Sequence, residues 1–253
     1  MFEHIAFTAS PAEIAQDGLD ALVQRYGQHR LEEADVVVAL GGDGFMLQTL
    51  HATQDYQLPV YGMNRGTVGF LMNAYHEDDL MERLRDAERA EIHPLSMRVT
   101  TMNGEIQTAL AINEVSLLRS GPQAAKLRIS VDGRVRMDEL VCDGALLATP
   151  AGSTAYNYSA HGPILPIDAD VFALTALNAF RPRRWRGALL PQKALVKFEV
   201  LQSDKRPVRA DADSKSFDEV QSVEITSERS ITHRLLFDPG HGLEERLIRE
   251  QFV

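Results

Sequence analysis

The sequence contains a continuous apolar run that ends in a glycine-rich corner, Asp35-Val36-Val37-Val38-Ala39-Leu40-Gly41-Gly42-Asp43-Gly44. Such a run is typical of a buried parallel strand that ends in a tight turn. The residues from Phe45 to Leu50 are good helix formers, so we expect a helix to begin there. Glycines can take positive φ and let an anion approach, and the positive end of a helix adds attraction. The corner is therefore a candidate phosphate site, with a plain Asp-Gly turn as the alternative.

Two familiar phosphate-binding motifs are absent from this corner. The Walker pattern requires Gly-Lys followed by Ser or Thr, and the dinucleotide fingerprint requires glycines spaced as GxGxxG. Neither pattern is present at residues 41–49. Asp43 is unusual for a phosphate site, because a phosphate repels a carboxylate unless that carboxylate holds a metal or takes a proton.

The composition indicates an ordinary globular chain. It has 253 residues, of which 44% are hydrophobic and 25% charged, with a net charge of −10. That charge argues against a nucleic-acid surface as the main purpose. No apolar stretch could span a bilayer, and the N-terminus lacks the features of a signal peptide. A single cysteine, Cys142, excludes an intramolecular disulfide. We expect a cytoplasmic protein with no membrane or nucleic-acid partner.

The first part of the chain alternates between strands and helices, which predicts an α/β domain with a parallel sheet over residues 1–93. A strand is expected at His4–Ala9, and Ser10-Pro11-Ala12-Glu13 has the form of a capping box that opens a helix through about Tyr26. Another strand, Leu58–Asn64, leads into a second glycine-rich loop at 65–71. An acidic segment at 77–79 is expected to begin a helix.

The pattern changes near Pro94, and residues 94–238 are predicted to form a β-rich, sandwich-like domain. Asn103-Gly104 and Asp132-Gly133 fit type I′ hairpin turns. Segments 193–200 and 223–226 alternate with the period of a strand, and one helix is expected over Asp170–Phe180. Residues 239–253 return to helical spacing and are predicted to pack back on the first domain.

Three further segments could carry chemistry. The loop Asn64-Arg65-Gly66-Thr67-Val68-Gly69-Phe70-Leu71 should lie beside the first glycine corner, because parallel strands end at one rim of a sheet. Asn113-Glu114 offers amide and carboxylate groups that suit a base edge and a ribose diol. The stretch from Asp143 to Pro163 is rich in small and hydroxyl residues, and Tyr156 could stack on a base while Asn157 supplies hydrogen bonds. Each segment also has a structural reading, as a tight turn, a solvated sheet end or an ordinary loop.

Other polar features have structural explanations that we prefer. Ser153 is not in a Gly-x-Ser-x-Gly elbow, which argues against a hydrolase nucleophile. His161 has no second His or Cys at ligand spacing, so a packing role is expected. The basic run 181–186 is expected to be a solvated face or an oligomer contact. Asp211 and Asp213 fit an Asx turn between strands.

Taken together, these motifs resemble the NAD kinase family, in order as well as in content. The matching segments are Gly41-Gly42-Asp43-Gly44, Asn64-x-Gly66-x-x-Gly69-Phe70-Leu71, Asn113-Glu114, and Asp143-Gly144 leading to Thr149-Pro150-x-Gly152-Ser153-Thr154-Ala155-Tyr156. The resemblance implies phosphorylation of the 2′-hydroxyl of NAD's adenosine ribose, with ATP or polyphosphate as the donor and a divalent metal, normally Mg²⁺. It also implies the NAD kinase/diacylglycerol kinase-like fold, a ligand bound between the two domains, and a homodimer or homotetramer.

The resemblance assigns a role to each matching position. Asp43 would be the catalytic residue, either deprotonating the ribose hydroxyl or helping to hold the metal–triphosphate. The expected phosphate-binding residues are Gly41, Gly42, Gly44, Asn64, Arg65 and Gly66. The expected NAD-binding residues are Asp43, Gly44, Phe70, Asn113, Glu114, Asp143, Ser153, Thr154, Ala155, Tyr156 and Ser159.

Three positions depart from the family pattern, and two other functions stay open. Phe45 stands where the family usually has Thr or Ser, Ala151 where Thr is common, and His161 where glycine is usual. The Gly-Gly-Asp-Gly corner also occurs in lipid and sugar-phosphate kinases, which would need a different acceptor groove. A non-catalytic dinucleotide sensor would keep the Ser153–Tyr156 loop and would have no need of Asp43.

Overall fold

The structure is a computed structural model that describes residues 2–66 and 69–252 of the chain. In chain order its strands and helices are β1 (Ile5–Ala9), α1 (Glu13–Tyr26), β2 (Val36–Gly41), α2 (Asp43–Ala52), β3 (Pro59–Asn64), α3 (Leu80–Asp86), β4 (Glu88–Ile92), β5 (Leu95–Thr101), β6 (Ile106–Ala111), β7 (Glu114–Arg119), β8 (Ala125–Val131), β9 (Arg134–Cys142), β10 (Gly144–Ala148), α4 (Tyr156–Ser159), β11 (Val171–Leu177), β12 (Gly187–Pro191), β13 (Val196–Val200), β14 (Val208–Ala212), β15 (Lys215–Phe217), β16 (Val220–Ser227), β17 (His233–Phe237) and α5 (Leu243–Glu250). Short 3-10 turns occur at Leu31–Glu33, Gln54–Tyr56 and Ala151–Thr154. Among the described residues, no helix combines the length and the apolar composition that crossing a membrane requires.

The chain forms two compact units, residues 1–92 with 231–253 and residues 93–230. The first unit contains a sheet of five strands in the order β1-β2-β3-β17-β4. The pairs β1–β2, β2–β3 and β3–β17 are parallel, and β4 joins the edge antiparallel to β17. Every residue of β2 is buried, as its unbroken apolar sequence predicts for a central parallel strand. The predicted α/β domain with a parallel sheet is confirmed for this unit.

The second unit is a sandwich of two antiparallel six-stranded sheets, as predicted. The orders are β12-β11-β10-β7-β14-β15 and β6-β5-β16-β13-β8-β9. One apolar core joins the inner faces, with Val115 and Phe172 from the first sheet and Val99 and Phe198 from the second. Alternating burial along β13 explains the period of two that its sequence shows.

The second unit ends at Ser230, earlier than the predicted end of the β-rich domain at residue 238. Residues 231–238, which we assigned to the β-rich domain, lie in the first unit, where β17 pairs with β3 and β4. An apolar five-residue strand carries no sign of which sheet it will join, so only the tertiary pairing decides this position. The C-terminal helix is α5, and its Leu243 and Leu247 are buried within the first unit.

The helix predicted at Asp170–Phe180 is wrong, because residues 171–177 form the strand β11. This strand pairs antiparallel with β10 on one side and β12 on the other, and six of its seven residues are buried. A short run that is apolar on all sides fits a buried strand and a buried helix equally well, so periodicity could not separate them. The helical segments of this unit come earlier, at 151–154 and 156–159.

Local signals at turns and helix ends were partly wrong. Helix α1 begins at Glu13 with Ala12 as its N-cap and without a side-chain cap, so the predicted capping box at Ser10 does not form. Asp132 and Gly133 both have positive φ, as a type I′ turn requires. At Asn103-Gly104 only Gly104 has positive φ, and the amide of Gly104 donates to Thr101 O. That geometry describes a longer type I turn rather than the predicted I′ turn.

Candidate active site

The two glycine-rich loops of the first unit are neighbours, as we predicted from the parallel sheet. Gly41 at the end of β2 pairs with Asn64 at the end of β3. The amide of Arg65 donates to Gly41 O at 2.8 Å, which joins the two loops at the rim. A Cβ atom at Gly66 would lie 3.7 Å from Gly42 Cα, so the loops remain in contact beyond the strands. Thr67 and Val68 of the second loop lie outside the described residues.

The first corner differs from the expected positive-φ turn. Gly42 has φ −112° and serves as the N-cap of α2, and Gly41 and Gly44 also have φ outside the left-handed region. Helix α2 therefore begins at Asp43, two residues earlier than predicted, and no side chain caps this end. A Cβ at Gly42 or Gly44 would meet no atom within 4 Å. The helix N-terminus consequently faces open space where backbone amides can receive a phosphate group.

Asp43 is held at the start of this helix by the second loop. Its two carboxylate oxygens accept hydrogen bonds from the amides of Phe70 at 2.7 Å and Leu71 at 2.8 Å. These bonds fix the orientation of the carboxylate. Each oxygen has a second lone pair, so Asp43 can still accept a hydrogen bond or a proton from a ligand.

Two predicted phosphate ligands, Asn64 and Arg65, use their side chains to build the loop instead. Asn64 Oδ1 accepts a hydrogen bond from the amide of Gly66 at 2.9 Å. Arg65 Nε donates to Ile14 O at 3.0 Å, and its guanidinium stacks 3.7 Å from the centre of the Tyr75 ring. Both side chains therefore stabilise the rim, and the amides of this corner are the better candidates for phosphate contacts.

In the second unit, the Asn113-Glu114 turn is held by a residue that sequence reasoning did not assign to the site. Asp213 accepts hydrogen bonds from the amides of Ile112 at 2.7 Å and Asn113 at 3.0 Å. The sequence around Asp213 predicts only an ordinary Asx turn. Its contact crosses about a hundred residues of sequence, and no local pattern could have indicated it.

Glu114 is the most perturbed acid of this turn. Burial, followed by the negative charge of Asp213, raises the pKa of Glu114 to about 8, and a hydrogen bond from the Tyr156 amide lowers it partly. Among the described residues, Glu114 Oε2 is buried without a hydrogen-bond partner. Such an orphaned polar atom is costly unless a bound group satisfies it. Glu114 is therefore a strong candidate for a ligand contact.

The loop after β10 is fastened to the Asn113-Glu114 turn by close backbone contacts. The amide of Thr149 donates to Asn113 O at 2.9 Å, and Thr149 Oγ1 donates to Ile112 O at 2.8 Å. The amide of Gly152 donates to Thr149 Oγ1 at 3.0 Å. A Cβ at Gly152 would lie only 2.1 Å from Asn113 O, so only glycine fits at this position. These contacts bring the predicted loop and the predicted turn together.

The side chains of Ser153 and Asn157, for which we predicted ligand contacts, form hydrogen bonds within the protein. Ser153 is fully buried, and its hydroxyl donates to Pro150 O and accepts from the amide of Leu165. Asn157 is equally buried and bonds to Ser153 O, Pro163 O and Thr175 Oγ1. Both side chains order the loop from beneath.

The exposed side of the same loop leaves other predicted residues open to a ligand. Tyr156 is 38% exposed and Ser159 is also exposed, while Thr154 and Ala155 are half-buried.

A cavity of about 420 Å³ in the second unit brings together three predicted residues, Asp143, Tyr156 and Ser159. Asn178 and Arg119 donate to the Asp143 carboxylate at 2.9 Å and 2.6 Å, and these contacts lower its pKa. His161, Asn178, Trp185 and two arginines of the basic run, Arg184 and Arg186, also line the cavity. The arginines of the basic run are exposed, as a solvated face requires, and two of them also border this cavity. The volume is that of a small-molecule site.

His161, one of the departures from the family pattern, has φ +62°. A glycine adopts this conformation without strain, and a residue with a Cβ does so at a cost. The backbone has therefore kept a conformation suited to glycine while the residue has changed.

Comparison with known proteins agrees with the resemblance noted in the sequence. Residues 2–92 match the ATP-NAD kinase N-terminal domain, and residues 112–235 match the ATP-NAD kinase C-terminal domain. An NAD kinase of Cereibacter sphaeroides is 68% identical over 251 residues, covering 99% of both chains. An NAD kinase of Caulobacter vibrioides is 60% identical over 248 residues, covering 98% of this chain and 95% of its own.

Solved structures share the fold. The crystal structure of yeast NADH kinase complexed with NADH has a TM-score of 0.85 at 19% identity, covering 99% of this chain and 87% of its own. An NAD kinase from Archaeoglobus fulgidus in complex with ATP has a TM-score of 0.76 at 24% identity, covering 98% and 97%. At such identities the likeness concerns the fold alone, whereas the two domain matches cover most of the chain and the close relatives nearly all of it. The chain belongs to the NAD kinase family.

Proposed function

We propose that this chain is an NAD kinase, which transfers the γ-phosphoryl group of ATP to the 2′-hydroxyl of the adenosine ribose of NAD and releases NADP and ADP. Relatives named NAD kinase at 52–69% identity over nearly the full length support this reaction. The observation that carries the proposal is Asp43, an oriented carboxylate at the first position of an uncapped helix N-terminus. A lipid kinase would need an apolar acceptor groove, whereas the cavity beside Tyr156 is lined by several polar and charged side chains.

In the first unit, the donor phosphates bind the amides of Gly42 and Gly44, and the positive end of the α2 dipole attracts them. Asp43 accepts the proton of the 2′-hydroxyl as the ribose oxygen attacks the γ-phosphorus and the bond to ADP breaks. The amides of Phe70 and Leu71 keep the carboxylate in place during this transfer. Phosphoryl transfer requires little covalent chemistry from the protein, so positioning and charge neutralisation supply most of the rate.

In the second unit, Asn113, Glu114 and the 154–156 loop hold NAD. With a pKa of about 8, the Glu114 carboxyl group is largely protonated at neutral pH and can both donate to and accept from a ribose diol. The exposed ring of Tyr156 provides a stacking surface for a base. Asp143 and Ser159 contact a further part of the dinucleotide in the cavity that they line.

We propose that the divalent metal would be Mg²⁺, bound together with ATP. Among the described residues, no three His, Cys, Asp or Glu side chains lie close enough together to hold a metal ion. That arrangement fits Mg²⁺, which keeps several waters and binds substrate phosphates with one or two carboxylates rather than a protein cage. Asp43 is the carboxylate placed to approach it, and the metal would neutralise charge on the donor phosphates. A cytoplasmic location and a homodimeric or homotetrameric state are further proposals that rest on the family resemblance.

The test is to incubate the protein with NAD, ATP and magnesium and to measure NADP. Parallel reactions with NADH and with polyphosphate determine the acceptor and donor preferences, and removal of magnesium with a chelator should stop turnover. NAD binding without any turnover by the wild-type protein would identify a sensor instead. Phosphorylation of a lipid or sugar phosphate in place of NAD would favour the other kinase class.

The role of Asp43 is tested with Asp43→Asn, which keeps the shape of the side chain, removes its basicity and replaces one of the two oxygens that accept from the Phe70 and Leu71 amides by a donor. We expect turnover to fall by about 10²–10⁴-fold, the usual contribution of a general base, with NAD affinity largely retained. Asp55→Asn, at an exposed position of the same unit, should leave both unchanged. Near-normal turnover of Asp43→Asn would reject the assigned role.

A further inference from the structure

Arg246, on α5, places its guanidinium against the loop that holds Asp43. Arg246 Nη1 donates to Phe70 O at 2.8 Å and to Met72 O at 2.6 Å. Gly69 O is a weaker third partner of Nη1 at 3.4 Å, since that nitrogen has only two hydrogens. Arg246 Nε donates to His241 O at 2.7 Å, which ties the guanidinium to the start of its own helix.

The same loop presents its amides to Asp43 and its carbonyls to Arg246. Phe70 takes part on both sides, because its amide donates to Asp43 while its carbonyl accepts from Arg246. The far end of the loop is fixed by Asn73, whose buried side chain donates to Gly62 O and Leu236 O and accepts a long bond from Arg246 Nη2 at 3.4 Å. Arg246 is therefore the side chain that anchors residues 69–72 on their carbonyl side, opposite the amides that bind Asp43.

Docking of α5 does not by itself require a buried guanidinium. Leu243 and Leu247 of this helix are buried and supply its apolar contact. Burial disfavours the charged form of Arg246 and lowers its pKa, and the nearby carboxylates of Asp43 and Asp238 partly offset this effect. The buried guanidinium is best explained by its partners, which are the carbonyls of the loop and a nearby negative charge.

We propose that Arg246 is a positioning residue for the catalytic carboxylate: by binding the carbonyls of residues 70 and 72 it fixes the amides of Phe70 and Leu71 that orient Asp43. This inference rests on the proposed function of Asp43. It extends that function by assigning a role in catalysis to the C-terminal helix.

The test compares Arg246→Ala and Arg246→Lys with Arg249→Ala, a matched arginine on the same helix that is exposed and pairs only with Glu245 among the described residues. We expect Arg246→Ala to lower kcat by about 10–100-fold while KM for ATP changes by less than about 3-fold, because Arg246 contacts residues 69–72 and not the residues assigned to the donor phosphates. Arg246→Lys, which keeps the charge and can reach some of the carbonyls, should be intermediate. Arg249→Ala should match the wild type.

A double-mutant cycle with Asp43→Asn separates positioning from general destabilisation. If Arg246 acts through Asp43, Arg246→Ala should reduce the residual turnover of Asp43→Asn by less than about 3-fold. Fully multiplied losses would overturn the inference, as would a kcat within 2-fold of wild type for Arg246→Ala. Should Arg246→Ala fail to fold, Arg246→Lys takes its place in the cycle.

Amide hydrogen exchange of the ligand-free protein tests the linkage without any turnover. Arg246→Ala and Arg246→Lys should each raise the exchange rates of the Phe70 and Leu71 amides, and Arg249→Ala should not. Unchanged rates in both Arg246 variants would refute the linkage even if the enzyme is an NAD kinase. Raised rates in a protein that makes no NADP would support the linkage and refute the proposed function instead.

Discussion

Gly152→Ala should damage NAD binding selectively, because Gly152 lies where the binding loop crosses the Asn113-Glu114 turn. The added Cβ would lie 2.1 Å from Asn113 O and 2.4 Å from Asn113 C and Cα. An ordinary van der Waals contact requires at least 3.4 Å, so the two backbones must separate by about 1.3 Å. Neither backbone segment can move out of the way like the end of a flexible side chain.

The magnitude follows from the contacts that this separation breaks. The bonds from Thr149 N to Asn113 O and from Gly152 N to Thr149 Oγ1 would be strained or lost, at about 1 kcal/mol each. Overpacking costs a further 1–3 kcal/mol, approximately. The free energy of unfolding should therefore fall by about 3–5 kcal/mol, and the midpoint of thermal unfolding by about 6–20 °C. A displacement of about 1 Å between Tyr156 and Glu114 should weaken NAD binding by about 10–100-fold.

The assay measures steady-state kinetics with NAD varied and ATP fixed, then the reverse, together with calorimetric NAD binding below the unfolding range. We expect KM for NAD to rise while KM for ATP stays near the wild-type value, since the donor phosphates are assigned to the first unit. Gly121→Ala is the control, because its Cβ would meet nothing closer than Pro207 Cγ at 3.9 Å. A Gly152→Ala protein with wild-type NAD affinity and midpoint, or with equal losses for NAD and ATP, would refute the reasoning.

Two further predictions concern stability. The folded-state pKa of Glu114, about 8, lies above the unfolded value near 4.5, so its contribution to stability is present below about pH 4.5 and is lost as the pH rises through 8. Between pH 5 and 9 the free energy of unfolding of the wild type should therefore fall by about 2–5 kcal/mol more than that of Glu114→Gln, as measured by urea unfolding. Parallel pH profiles of the two proteins would contradict this. His161→Gly should relieve the strain of φ +62° and raise stability by about 1 kcal/mol in calorimetry without ligand, whereas a lower midpoint would show that His161 makes compensating contacts.

Local sequence determined the elements whose physical requirements are local. The unbroken apolar run 36–40, which ends in glycines, indicated a buried strand, and the parallel sheet then placed the loops after β2 and β3 side by side. The Asp132-Gly133 turn followed from the two positive φ angles that this pair tolerates. The family motifs indicated the reaction class because their order along the chain is specific.

Only the tertiary structure decided which residues support those motifs. Asp213 reaches Asn113 and Arg246 reaches Phe70 across long stretches of chain, and such pairings leave no periodic signal. β11 became a strand because β10 and β12 bond to both its edges, although its apolar sequence also fits a helix. Ser153 lies beneath its loop because its hydroxyl donates to Pro150 O and accepts from the amide of Leu165. Sequence thus indicated where the chemistry lies, and long-range hydrogen bonding and burial determined which side chains remain available for it.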